Sequence, residues 1–215
     1  MTRVGQINLT EIDPEVCDIG FWPEYWKKSE TLGIILNAGG IVAYYPSKFE
    51  LHYRAARLGN RDFFGEFVSE ARKAGLIVLA RMDCNRVTED FYKAKPGWFA
   101  RHKDNTPYIT QGRYQTCVSS GYYKEYIPGV LREIIEHYHP DGFTDNSWRG
   151  IGRQSICYCE NCKREFREYS GESLPEEADF RDPVYRKWIS WGYKRAFAFV
   201  SGEYCRWYGF RSGWL

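Results

Sequence analysis

At 215 residues the chain is long enough for one full core or for part of a larger domain. A net charge of +2, with 27% charged residues, leaves no basic tract for nucleic acid. No run reaches the roughly 18 apolar residues that span a bilayer, and the amino-terminal MTRVGQINLTEIDPE lacks the apolar core of a signal peptide, so a cytoplasmic protein is expected.

Val4 to Leu9 reads as a first strand, and Glu15 to Thr31 as a first helix, irregular around Pro23. Ile34 to Leu36 is a short apolar run ending at Asn37. Ala38-Gly39-Gly40 follows as a turn-forming cluster that lets backbone approach a ligand. A long loop, Ala43 to Asn60, carries Tyr44, Tyr45 and His52. Arg61 to Ala74 has helical periodicity, with Phe63, Phe64, Phe67, Val68 and Ala71 on one face and Gly75 as its stop. Leu76 to Ala80 is a continuous apolar run, the pattern of a parallel strand buried on both faces, and it ends in Arg81-Met82-Asp83. A second long loop holds Pro96-Gly97-Trp98-Phe99 and the turn Asp104 to Pro107. Tyr122 to Tyr138 is an amphipathic helix, stopped by Pro140. The short segment Asp141 to Thr144 then places Asp145 and Asn146 just past its end.

Beyond this lies a tight thiol cluster, Cys157, Cys159 and Cys162. The chain has seven cysteines, an odd number, and three of them sit too close together for an ordinary disulfide framework, so metal binding is the better reading. Helix follows through Glu168, then a loop with Gly171 and Pro175, then a long helix from about Pro183 to Trp207. Cys17, Cys84 and Cys205 are isolated and read as ordinary buried thiols.

Strand and helix alternate four times, which argues for a parallel sheet with right-handed crossovers. Four strands cannot close an eight-stranded barrel. The expected fold is therefore α/β: the N-terminal half of a TIM-type (β/α) barrel, about four βα units, with a Cys-rich loop and a C-terminal helix, as a single domain over 1–215. Such a half barrel would expose the edges of its first and fourth strands, so self-association is expected. In barrel enzymes the site lies at the carboxyl ends of the strands. This singles out Asn37, Arg81, Asp83, Asp145 and Asn146. Asp145 can act as a catalytic carboxylate, or else cap a helix or pair with Arg149 or Arg153. Asp83 can bind substrate hydroxyls or pair with Arg81. Aromatic residues make up 18% of the chain; that content serves sugar recognition or simply fills cores. Trp98 is placed as a platform for a sugar ring, and His52 as a polar sugar contact or an ordinary loop histidine.

These stretches, namely Asn37 to Gly40, Arg61-Asp62, Ala74 to Val78, Arg81 to Asp83, Pro96 to Trp98, Asp141 to Asn146, and Cys157 to Cys162 with Phe166, resemble a clan of glycoside hydrolase barrels. That clan includes the family 42 β-galactosidases and the family 29 α-L-fucosidases, and the resemblance is strongest to the group called hypothetical glycosyl hydrolase 6. It implies a retaining exo-glycosidase acting on a galactoside- or fucoside-type carbohydrate; the residues whose position and chemistry suit substrate contact are Asn37, His52, Arg81, Asp83, Trp98 and Asn146. The family 42 pattern implies a structural zinc on Cys117, Cys157, Cys159 and Cys162; the alternative is free thiols. Its Asp-Asn-Glu triplet reads Asp145-Asn146-Ser147 here, so the family 42 acid/base does not carry over. The fucosidase-like aromatic-x-Asp run matches Phe143-Thr144-Asp145 and makes Asp145 the nucleophile, with the proton donor on a later strand. The alternative in a different class is a non-catalytic carbohydrate-binding or scaffold module with structural zinc.

Overall fold

A computed structural model describes residues 3–145, 150–152 and 154–199, with side chains through 195. The chain divides into two units. One comprises Met1–Cys84 with Gly129–Ser147, the other Asn85–Pro128 with Trp148–Leu215.

The first unit is built on the parallel sheet that the alternation of elements leads one to expect. Strands β1 (Val4–Ile7) and β2 (Gly33–Gly40) are separated by two short helices, α1 (Asp13–Val16) and α2 (Trp22–Lys28), with a 3₁₀ turn at Ile19–Phe21 between them. The expected single helix over Glu15 to Thr31 is thus broken. Cys17 leaves helical geometry, and Asp18 instead accepts from the Gly20 N–H to start a new turn. Helix α3 (Phe63–Lys73) leads to β3 (Ile77–Asp83).

In the second unit a two-residue β4 (Arg86–Val87), α4 (Glu89–Ala94), β5 (Ile109–Thr110) and β6 (Arg113–Gln115) occupy the stretch read as a long loop. The three strands form a small antiparallel sheet of order β4-β6-β5. Two-residue strands are too short to leave an alternating pattern in sequence. Tyr122–Tyr126 is a π turn that runs into α5 (Ile127–Tyr138), and α5 leads to β7 (Gly142–Thr144). The main sheet has the order β1-β2-β3-β7, all parallel. Helices α6 (Glu160–Ser170) and α7 (Pro183–Phe199) complete the second unit. The sequence extends the last helix to Trp207; residues past 199 lie outside the described ones, as does Cys205.

The register divides the sheet into two faces, because in-register neighbours on parallel strands point the same way. Ile7, Leu36, Ala80 and Phe143 share one face with Ile34 and Val78. On this face Ile34, Leu36, Val78, Ala80 and Met82 are fully buried, as are Phe63, Phe64 and Phe67 of α3. Asp62 caps α3 by accepting from the Gly65 N–H and also takes the Tyr138 hydroxyl at 2.9 Å, so the helix start is tied to the end of α5. Gly75, with φ of +72°, closes α3 as expected.

The opposite face carries Asn8, Asn37, Arg81, Asp83 and Thr144 at the carboxyl ends of the strands, above Val4, Ile35, Ile77 and Leu79. Its residues on β3 are only half-buried or exposed; Ile77 is 51% exposed. The expectation that β3 is buried on both faces is corrected here. The strand buried on both faces is β2, along which only Ile35 is half-buried.

Candidate functional site

Strand β2 does not stop at Leu36. It continues through the glycines, with a bulge between Asn37 and Gly39. Gly40 has φ of +99°, and a Cβ there would lie 2.3 Å from the Asp83 carbonyl oxygen. A Cβ on Gly39 would lie 2.8 Å from Cε1 of His52. The two glycines therefore serve close approach by β3 and His52, in place of the open turn expected from sequence.

The bulge brings three of the singled-out residues together. Asp83 accepts from Asn37 Nδ2 at 3.3 Å and pairs with Arg81 at 3.2 Å. Both members of the ion pair are largely buried, with side chains 13% and 20% exposed, so it is less screened than a surface pair. Arg81 also donates to Asn8 Oδ1 at 2.5 Å, and Asn37 Oδ1 accepts from the Leu9 N–H at 3.1 Å. Both roles weighed for Asp83 meet here. It is the counterion of Arg81, and it sits at a strand end among neutral amide groups suited to hydroxyls. Asn8 was not singled out from sequence; its signal was the period-2 spacing from Gln6 off the end of β1.

His52 lies behind this cluster and is buried, at 3% exposure. Its Nε2 accepts from the Gly40 N–H at 3.1 Å, so Nδ1 carries the proton and donates to Ser47 Oγ at 3.1 Å. Ser47 donates in turn to Glu133 Oε2 at 2.7 Å. Glu133 also accepts from the Tyr45 hydroxyl at 2.8 Å and the Lys48 N–H at 2.6 Å. Burial holds the His52 pKa down at about 4, with Glu133 opposing and Arg54 adding to the shift. This buried chain shapes the end of β2 and places His52 under the site.

Asp145 follows β7 and is half-buried. Its partner in the structure is Cys84, the residue after β3, read from sequence as an ordinary buried thiol. Cys84 has no exposure, and its thiol is pushed well up by burial, by the Asp145 and Asp83 charges and by its hydrogen bond with Asp145. A neutral S–H donating to a carboxylate orients that carboxylate without adding charge. Asn146, Arg149 and Arg153 lie outside the described residues.

Trp98, in the second unit, ends a 3₁₀ turn (Pro96–Trp98), and its carbonyl accepts from the Cys117 N–H at 2.9 Å. Its indole packs near Phe91 and Tyr126, with Lys95 Nζ 5.2 Å from the ring centroid. A Cβ on Gly121 would lie 2.7 Å from the indole, so that glycine makes room for it.

Also in the second unit, the four cysteines converge. Cys117 follows β6, Cys157 and Cys159 precede α6, and Cys162 stands in its first turn. All four Sγ atoms lie within 4.8 Å of one another and are buried. Cys117 Sγ is 3.4 Å from Cys159 Sγ, 3.4 Å from Cys162 Sγ and 3.8 Å from Cys157 Sγ. Those spacings are far beyond a disulfide bond of about 2.05 Å. They match the roughly 3.8 Å edge of a tetrahedron with metal–sulfur bonds of about 2.3 Å. The donor set therefore fits a tetrahedral thiophilic ion. Ile156, Phe166, Tyr185, Trp188 and Trp191 form its apolar surround.

A parallel α/β sheet with amide, guanidinium and carboxylate groups gathered at its carboxyl edge is the layout of an α/β enzyme site. The chain belongs to the family described as hypothetical glycosyl hydrolase 6, which it matches over residues 24–147. The match takes in Asn37, His52, Arg81, Asp83, Trp98, Cys117 and Asp145 and ends before Cys157. The chain is 25% identical over 171 residues to a β-galactosidase from Haloferax lucentense, covering 75% of this chain and 26% of that protein. It thus spans about a quarter of that relative. In fold it is similar to α-L-fucosidase isoenzyme 2 from Paenibacillus thiaminolyticus, with a TM-score of 0.67 and 18% identity over 94% of this chain and 30% of that one. It is also similar to the β-galactosidase from Rahnella sp. R3, with a TM-score of 0.54 and 16% identity over 78% of this chain and 24% of that one. No helix among the described residues is long and apolar enough to cross a membrane.

Proposed function

We propose that the protein acts as a retaining exo-glycosidase on a galactoside- or fucoside-type substrate, and that the βα units of this chain are the first half of a TIM-type barrel carrying the nucleophile. The observation that carries this reading is the cluster of Asn8, Asn37, Arg81 and Asp83 on one strand-end edge, in a chain of a glycosyl hydrolase family. Amide groups and a tethered ion pair supply donors and acceptors in fixed directions, which is what sugar hydroxyls need.

Retaining hydrolysis uses two carboxyl groups about 5–5.5 Å apart, one attacking the anomeric carbon and one protonating the leaving oxygen. Asp145 takes the first role, oriented by the Cys84 thiol. Asp83 is unsuited to the second, because its oxygens are already engaged by Arg81 and Asn37. The proton donor is thus a residue outside this cluster, on a later strand of the barrel. Asn146 binds a sugar hydroxyl beside Asp145, and His52 contributes through the loop it holds; Trp98, in the second unit, offers an aromatic face suited to a sugar ring. The four cysteines hold a structural zinc, whose role is to fix a loop with no open coordination position.

Asp145→Asn in the complete protein tests this. The expected result with aryl galactosides and fucosides is loss of turnover by about a thousandfold or more, with sugar binding retained. Unchanged turnover would remove Asp145 as nucleophile. One observation favours the non-catalytic carbohydrate-binding or scaffold reading: the Asp145 carboxyl engages a fully buried thiol. Sugar binding without turnover in the unaltered complete protein would establish that reading.

A further inference from the structure

Arg195 lies on α7 within the second unit, and its Nη1 donates to Ser119 Oγ at 2.5 Å and approaches Cys162 Sγ at 3.7 Å. Its guanidinium lies over Trp191, with Cζ 3.5 Å from the ring centroid, and 5.5 Å from that of Trp188. Among the described residues no carboxylate pairs with it, and its Nε is buried without a hydrogen-bond partner. The neighbouring cations differ: Lys124 pairs with Glu165, Lys163 with Glu160 and Lys187 with Glu172. A guanidinium half-buried among indoles needs a counter-charge to offset its desolvation. Among the described residues, the anionic group it reaches is the thiolate cluster, through Cys162 Sγ.

We infer that Arg195 is a positioning residue of the four-cysteine centre, compensating its charge and donating to the Cys162 sulfur. The inference rests on the reading that the four thiolates hold a divalent metal. A zinc ion with four thiolates carries about two excess negative charges, and hydrogen bonds and cations around the sulfurs stabilise such a centre. Arg195 supplies both from one side chain. The Trp191 face fixes the guanidinium plane, and Ser119, two residues past Cys117, accepts from the same Nη1 that approaches Cys162. The same side chain ties α7 to the two segments that bring the ligands together.

The test is zinc retention by the full chain, in the unaltered form and as Arg195→Met and Arg195→Lys, by elemental analysis and chelator competition. The unaltered chain is expected to hold one zinc. Arg195→Met, which keeps an apolar stem on Trp191 but no charge, is expected to bind zinc about ten- to a hundredfold more weakly. Arg195→Lys is expected to recover most of that loss. In the cobalt(II)-substituted protein the thiolate-to-metal charge-transfer band is expected to move to longer wavelength in Arg195→Met, since a sulfur that loses an N–H donor is a better electron donor. If Arg195→Met does not fold, Arg195→Leu, which likewise has neither charge nor N–H donor, carries the same expectations. Equal affinity and an unshifted band in the neutral variant would overturn the role of Arg195 and leave the metal site standing. An unaltered chain that binds no zinc or cobalt would remove the metal reading itself, and this inference with it.

Discussion

The backbone N–H of Gly40 donates to Nε2 of His52 at 3.1 Å, and this bond fixes which ring nitrogen carries the proton. A protonated ring would turn a second N–H toward that donor. The consequence is pH-dependent stability. The unfolded chain takes up a proton at the ordinary histidine pKa of about 6.5, whereas the folded ring resists until about 4. Between these values the unfolded state binds more protons, so stability rises with pH there. The contribution is full above about pH 6.5 and is lost as pH falls to about 4, for a total of ~3 kcal/mol. Thermal melts across that range should show the unaltered chain losing more stability than His52→Gln. Parallel pH profiles for the two would refute it.

Glu133 is the far end of the same chain of bonds, and it joins α5 to the loop after β2 by accepting from Tyr45, Ser47 and Lys48. The residue is buried at 7% exposure, and hydrogen bonds to a charged acceptor each contribute about 1.5–3 kcal/mol. Glu133→Gln keeps the shape but removes the charge and turns donors toward donors. The expected cost is ~2–3 kcal/mol in denaturant unfolding, with the slope unchanged. A loss below about 0.5 kcal/mol would mean that the network is not holding the loop.

The parallel order of the sheet was legible in the sequence because each unit repeats an apolar run and an amphipathic helix, and α3 shows why. Its five inward residues sit at helical spacing, and all five are buried. The four-thiol centre was legible in part from the dense spacing of Cys157, Cys159 and Cys162; Cys117 came only through family resemblance. Features made by contact at a distance were not legible. Glu133 and Arg195 show this, since the side-chain hydrogen bonds that give each its role reach partners at least 33 residues away. The glycines after Asn37 read as a turn because turn and bulge both use small residues, and only the pairing with β3 tells them apart. Gln6-Ile7-Asn8 shows a limit of another kind. Period 2 puts Asn8 on the face of Gln6, but its bond to Arg81 depends on the strand order β1-β2-β3.

Strands β1 and β7 are the edges of the described sheet, and β1 presents Val4 at 51% exposure. A parallel edge offers unpaired N–H and C=O groups, and protected edges carry charges or bulges; β1 has neither, its sequence being Val-Gly-Gln-Ile. Close by, Ile77 and Leu32 are about half exposed as well, so the edge is flanked by apolar surface that a second strand or chain would cover. The 215-residue chain on its own is therefore expected to self-associate as its concentration rises, seen as a growing weight-average mass in sedimentation velocity. Val4→Lys places a charge on the edge without touching the buried face, and is expected to shift the chain toward monomer while leaving its melting temperature within about 2 °C. If the unaltered chain stays monomeric into the hundred-micromolar range, the open edge is not a functional liability. The half-barrel reading would then lose the physical consequence that most directly distinguishes it.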